Sequence, residues 1–160
     1  RTLSFIAKNL GGALPDAGRG EAADAELLKE VRTAYRAFRK AFEELALNQA
    51  LDAWMGGVFA CNQYIDAQAP WALRKTDPER MHAVLGTLVR AVRELTLTIA
   101  PVVPASAEKL LDQLGVTERG HDAAEDDGWY ARAQADGFKI APPTPIFPRL
   151  VLLEAEVPAA

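Results

Sequence analysis

The chain has 160 residues, 49% apolar and 25% charged, with a net charge of −4. That length allows one domain with a sizeable core and excludes two ordinary ones. The acidic balance excludes a global basic field of the kind that drives non-specific nucleic-acid binding, so any such role must rest on a local cluster.

The sequence opens on Arg1 inside a helix-like pattern, without an initiator Met, and reads as a piece of a longer protein. Leu3, Ile6 and Leu10 predict a first helix over 2–10, and Arg1 and Lys8, seven apart, share a face of it. Gly11-Gly12 ends the helix, and a surface loop runs on to Ala23. From Glu26 to Leu45 the apolar residues Leu27, Leu28, Val31, Tyr35, Phe38, Phe42 and Leu45 fall three or four apart. This predicts an amphipathic helix with Asp24 as its N-cap. Lys29, Arg32, Arg36, Arg39 and Lys40 lie off the stripe, among Glu30, Glu43 and Glu44, and read as a solvated face.

A third helix is predicted from about Gln49 to Ala69, with Leu51, Met55, Val58, Phe59, Asn62 and Ile65 on its apolar stripe. Asn62 is expected to be buried there and to tie two helices together. Gly56-Gly57 costs about 1 kcal/mol per glycine in mid-helix, which a close helix approach or a bend explains. Pro70 has no N–H and disfavours the α region at Ala69, so the helix should stop there. Trp71, Arg74 and Lys75 then follow the helix at a rigid corner. Thr76-Asp77-Pro78-Glu79 has the form of a helix start, and Met81, Val84, Leu85, Leu88, Val92, Leu95 and Ile99 mark about 22 residues of helix ending before Pro101. A short helix over Ser106–Leu114 is closed by Gly115. Residues 116–127 are polar and acidic, hence loop. The last thirty residues scatter Trp129, Phe138, Ile140, Ile146, Phe147 and Leu150–Leu153 among five prolines. They read as a non-helical tail packing back on the bundle, with Arg149–Glu154 suited to add a strand to another domain.

The expected fold is all-α: an antiparallel bundle of four long or medium helices and a short fifth over residues 1–114, with 115–160 as loop and extended tail of the same single domain. Chemistry is scarce. No glycine-rich phosphate loop or nucleophile–base set stands out. One cysteine, Cys61, excludes an internal disulfide and reads as a core or groove filler; His82 and His121 have no zinc spacing. The acidic run around His121 reads as a solvated loop, and the longest apolar stretch, Leu95–Val103, is far short of the ~20 residues of a membrane span. What remains is recognition. An aromatic at a corner beside cations has the parts of a platform for an unpaired base, which is worth about 1–3 kcal/mol per stacked base. A helical protein-interaction module, with Trp71 as core filler, competes for the same residues.

Three stretches carry a resemblance: Arg-x-Leu-Ser-Phe-Ile-Ala-Lys-Asn (1–9), Asn-x-Tyr-Ile-Asp with Ala-Pro-Trp-Ala-Leu-x-Lys (62–75), and Ile-Phe-Pro-Arg-Leu (146–150). Over nearly its whole length the chain resembles the α-helical anticodon-binding domain that follows the catalytic domain in bacterial methionyl-tRNA synthetases. Asn-x-Tyr-Ile also occurs in related class I enzymes, such as those for isoleucine and valine, whose equivalent domain is the alternative; the Pro-Trp step narrows the likeness to the methionine enzyme. The resemblance implies that Trp71, set by Pro70, stacks on an anticodon base of methionine tRNA. It implies that Arg1 is the basic contact of the first helix and Lys8 a further one, with an Asn contact four residues ahead of Arg1. It also implies a parent methionine–tRNA ligase whose ATP (with magnesium) and methionine sites lie in an N-terminal catalytic domain, no cofactor in this stretch, no membrane, and a cytoplasmic setting. The expected partners are the anticodon loop and that catalytic domain. The net negative charge predicts weak, salt-sensitive binding by this stretch alone.

Overall fold

In a computed structural model, which describes residues 1–16, 20–117 and 128–147, three helices of 22 residues form the frame. They are α2 (Ala22–Glu43), α3 (Leu47–Gln68) and α5 (Pro78–Ile99). Four shorter helices complete the described residues: α1 (Thr2–Asn9), α4 (Pro70–Thr76), α6 (Pro104–Gln113) and α7 (Trp129–Ala135). The all-α bundle expected from the sequence is the fold found, with more and shorter helices.

The centre of the bundle is α5, in which 17 of 22 residues are buried. Its start follows from its sequence: Asp77 Oδ1 accepts the Arg80 N–H at 3.0 Å, and Pro78 takes the first helical position, where no N–H is needed. Contacts along the frame fix the directions. Asp24 of α2 meets Tyr64 near the end of α3 and Arg80 near the start of α5. Towards the other end, Gly57 of α3 faces Ala34 of α2 and Leu95 of α5, and Phe38, Ala50 and Ile99 share a core cluster. Helix α3 therefore runs antiparallel to both α2 and α5. A second cluster joins Leu3 and Ile6 of α1, Leu85 and Val89 of α5, Leu111 of α6, and Trp129, Tyr130 and Ile140. The chain around residue 139 thus lies on the bundle, where an isolated antiparallel bridge links Ala13 to Lys139.

Several expectations are corrected. The fully buried positions of α3 are Ala50, Gly57 and Tyr64, seven residues apart; of the expected apolar stripe, only Val58 and Ile65 pack partly buried against the core. A Cβ on Gly57 would lie 2.8 Å from Leu95 Cδ2 and 3.1 Å from Ala34 Cβ, so glycine permits the close helix approach; one on Gly56 would meet open space. This register turns Leu51, Met55, Phe59 and Asn62 outward, and Asn62 is exposed rather than a buried tie. Asp24 is not the N-cap of α2. Glu21 holds that position, and Asp24, at N3, accepts the Glu21 N–H at 2.9 Å. Trp129 opens a short helix instead of an extended tail, because the prolines all lie beyond Ala141 and leave Trp129–Ala135 free to coil. The expectations for the acidic loop around His121 and for a strand over 149–154 fall outside the described residues.

Candidate functional site

The corner is built on one residue. Ala69 has φ 42° and ψ 60°, in the left-handed region, which costs an L-residue about 1–2 kcal/mol. Its N–H donates to the Ile65 carbonyl at 3.0 Å, ending α3, and its own carbonyl accepts from Ala72 N–H at 2.8 Å, starting α4. Pro70 follows as the first residue of α4, fully buried. The sequence correctly stops α3 here. Trp71, however, lies in the first turn of a new helix rather than in a loop, because proline suits a first helical position as well as it ends the helix before it.

Trp71 is 52% exposed. Leu73 of the same helix turns inward against two core clusters, and Arg74 Nη1 donates to Asn9 Oδ1 at 2.5 Å, while Asn9 Nδ2 donates to the Phe5 carbonyl at 2.9 Å. Helix α4 is thus bound to the end of α1, and Arg74 is committed to that joint. Lys75 is exposed on α4, and Lys8, also exposed, is the neighbour of Asn9 in the last turn of α1. Arg1 lies about 10 Å from Lys8 along the helix. There it lines an apolar groove of about 990 Å³ together with Asn62, Ile65 and Asp66 of α3. The structure therefore places Lys8 beside the α1–α4 joint that carries the Trp71 corner. It places Arg1 on the neighbouring groove wall, whose α3 residues lead into the corner.

Beneath the corner is a buried polar cluster that sequence reading missed. Arg80 donates through Nη1 to Asp24 Oδ2 at 2.6 Å and through Nη2 to Asp24 Oδ1 at 2.7 Å, a two-pronged pairing. Its Nη2 also donates to Gln68 Oε1 at 2.7 Å, and its Nε lies 3.4 Å from Glu21 Oε1. The Tyr64 hydroxyl donates to Asp24 Oδ1. Burial alone would raise the Asp24 carboxyl; the Arg80 guanidinium, the Tyr64 hydroxyl and the Glu21 N–H outweigh it and hold the group below its ordinary value. Burial, and then the Asp24 carboxylate, push the Tyr64 hydroxyl up. One signal was available in the sequence. Arg80 sits in the first turn of α5, where a cation opposes the helix dipole, so an anionic partner was called for.

Burial pushes the Cys61 thiol up to about 11, so it is not a thiolate nucleophile near neutral pH. Among the described residues no three His, Cys, Asp or Glu side chains gather to hold a metal ion, and no helix is long and apolar enough to cross a membrane.

A family model described as the anticodon binding domain of methionyl tRNA ligase matches residues 14–155. The chain belongs to this family. It is 40% identical over 151 residues to a methionine–tRNA ligase of Brucella suis, covering 94% of this chain and 29% of that protein. To one of Mycobacterium leprae it is 38% identical over 162 residues, covering 98% and 29%. Among solved structures, the free state of Mycobacterium tuberculosis methionyl-tRNA synthetase superposes with a TM-score of 0.77 at 34% identity, covering 94% of this chain and 30% of that one. The same enzyme bound by methionyl-adenylate gives 0.76. This anticodon-binding domain thus spans about three-tenths of the length of the relatives it matches. The Pro70-Trp71 corner lies inside the matched stretch, and Arg1 and Lys8 lie ahead of it.

Proposed function

We propose that this domain reads the anticodon loop of methionine tRNA as the non-catalytic part of a methionyl-tRNA synthetase. The remainder of that enzyme ligates methionine to tRNA in the cytoplasm, using ATP and magnesium, and is the domain's partner in the same chain. Trp71 is the stacking surface for one anticodon base. Arg1 and Lys8 meet phosphates or base edges, and Pro70 sets the direction of the indole. The observation that carries this reading is the half-exposed Trp71, held on a corner with no loop on either side and with cations on the adjoining helix. A rigid aromatic platform binds a base without first being ordered, which spares the entropy of fixing it. Family membership supports methionine over the isoleucine and valine alternatives. It also weighs against a general protein-interaction bundle, and the exposure of Trp71 weighs against its being core filler.

The test is Trp71→Ala in the full-length synthetase. Loss of one stacked base, about 1–3 kcal/mol, should raise the tRNA KM by about five- to 150-fold. Methionine-dependent exchange of pyrophosphate with ATP should stay near the wild-type rate. Equal loss in both reactions would point to misfolding and sink the assignment.

A further inference from the structure

Helix α4 is seven residues long, too short to hold its place by itself. The residue that precedes its cap, Gln68, and the residue that follows it, Asp77, are both bonded to Arg80: the side chain donates to Gln68 Oε1 at 2.7 Å, and the backbone N–H donates to Asp77 Oδ1 at 3.0 Å. Asp24 fixes the guanidinium from below with two hydrogen bonds and is itself held by Tyr64. The Arg80 and Asp24 side chains are only 8% and 6% exposed. One end of the segment that presents Trp71 is thus tied to the buried Arg80 side chain, itself anchored to a third helix, and the other end caps the Arg80 backbone at the start of α5.

We infer that Arg80 is a positioning residue for base recognition: its guanidinium, seated on the Asp24 carboxylate, holds Gln68 close to where Asp77 caps the same residue's backbone, and so sets where α4 leaves α3 and where the Trp71 indole faces. This rests on the proposed role of Trp71. The planar fork of arginine is what allows it. A lysine ammonium is a single point donor group and cannot pair both Asp24 oxygens while reaching Gln68. The effect on binding follows from population. A loosened corner spends part of its time with the indole misdirected, and the apparent affinity falls by the fraction that remains competent.

The experiment compares Gln68→Leu, Arg80→Gln, Arg80→Lys and Trp71→Ala in the full-length synthetase, well below the thermal midpoint of each. The readouts are kcat and KM for methionine tRNA, methionine-dependent pyrophosphate exchange, and the thermal midpoint itself. Gln68→Leu and Arg80→Gln should raise the tRNA KM by about three- to tenfold, with kcat and exchange little changed. Arg80→Lys should recover much of the thermal midpoint lost in Arg80→Gln but not the KM. Gln68→Leu removes only the outer tie, so it decides the matter even if Arg80→Gln does not fold. The inference is overturned if Gln68→Leu, together with Arg80→Gln where it folds, leaves KM within about twofold of wild type while Trp71→Ala raises it, because Arg80 is then only a stabilising residue. A normal KM in Trp71→Ala itself removes the anticodon reading, and this inference with it.

Discussion

Two tryptophans in this domain are held in opposite ways. Trp129 is 7% exposed, edge-on to Tyr130, with the Arg93 guanidinium 5.0 Å from its ring centre. Its face is already used: a buried cation sits where a ligand would stack. Trp71 is 52% exposed, and no ring or cation lies on it among the described residues. The helix of Trp129 starts from a residue in an ordinary conformation, whereas the helix of Trp71 starts from Ala69 in a disfavoured one, next to Gln68, which is tied to a buried ion pair. The domain uses one indole to fill its core and supports the other without covering it. Exposure of an aromatic is informative when the structure spends strain and buried charge to keep it in place.

The widest separation between the two should come from truncation. Trp129→Ala is expected to cost about 3–5 kcal/mol of stability, as for other buried aromatics, while Trp71→Ala should stay within about 0.5 kcal/mol of wild type by chemical denaturation. Comparable losses at the two sites would abolish the contrast. With Trp54 and, in turn, one of the other two tryptophans changed to Phe, iodide should quench Trp71 several-fold more strongly than Trp129 in the resulting single-tryptophan proteins. Acid should then separate them further. The folded Asp24 carboxyl titrates below its unfolded value of about 3.9, so its contribution is complete above that pH and is lost as pH falls through the folded value. On acidification below about pH 4, the emission anisotropy of Trp71 should therefore fall before that of Trp129. The smallest effect is expected at the joint. Ala69→Gly relieves about 1–2 kcal/mol of left-handed strain but frees the unfolded chain by a comparable amount, so the thermal midpoint should barely move. A large gain in stability would show that the strain has no counterweight.

Much of this was legible in the sequence because it depends on neighbours in the chain. The start of α5 follows from Asp77-Pro78, and the end of α3 from Pro70. The Trp71 corner could be placed before any tertiary contact was known. The register of α3 could not. Its Leu51, Met55 and Phe59 have helical spacing, but spacing says only that they share a face. The face that packs inward is the one carrying Ala50 and Gly57, because small residues let the backbones come close. The pairing of Asp24 with Arg80, 56 residues apart, needs the fold to exist before it can be seen. Helix α7 was missed because seven residues show too little of a 3.6-residue period to outweigh the prolines beyond it.

The double duty of Ala69 has a consequence for chain length. Since one residue closes α3 and opens α4, there is no spacer in which an added or lost residue could be absorbed. Each residue of helix turns the chain by about 100°, so one extra residue at the end of α3 would launch α4, with its indole, towards a different side of the molecule. At this joint the count of residues between Tyr64 and Trp71 carries as much of the geometry as their identity. Substitutions there should be tolerated more readily than any insertion or deletion.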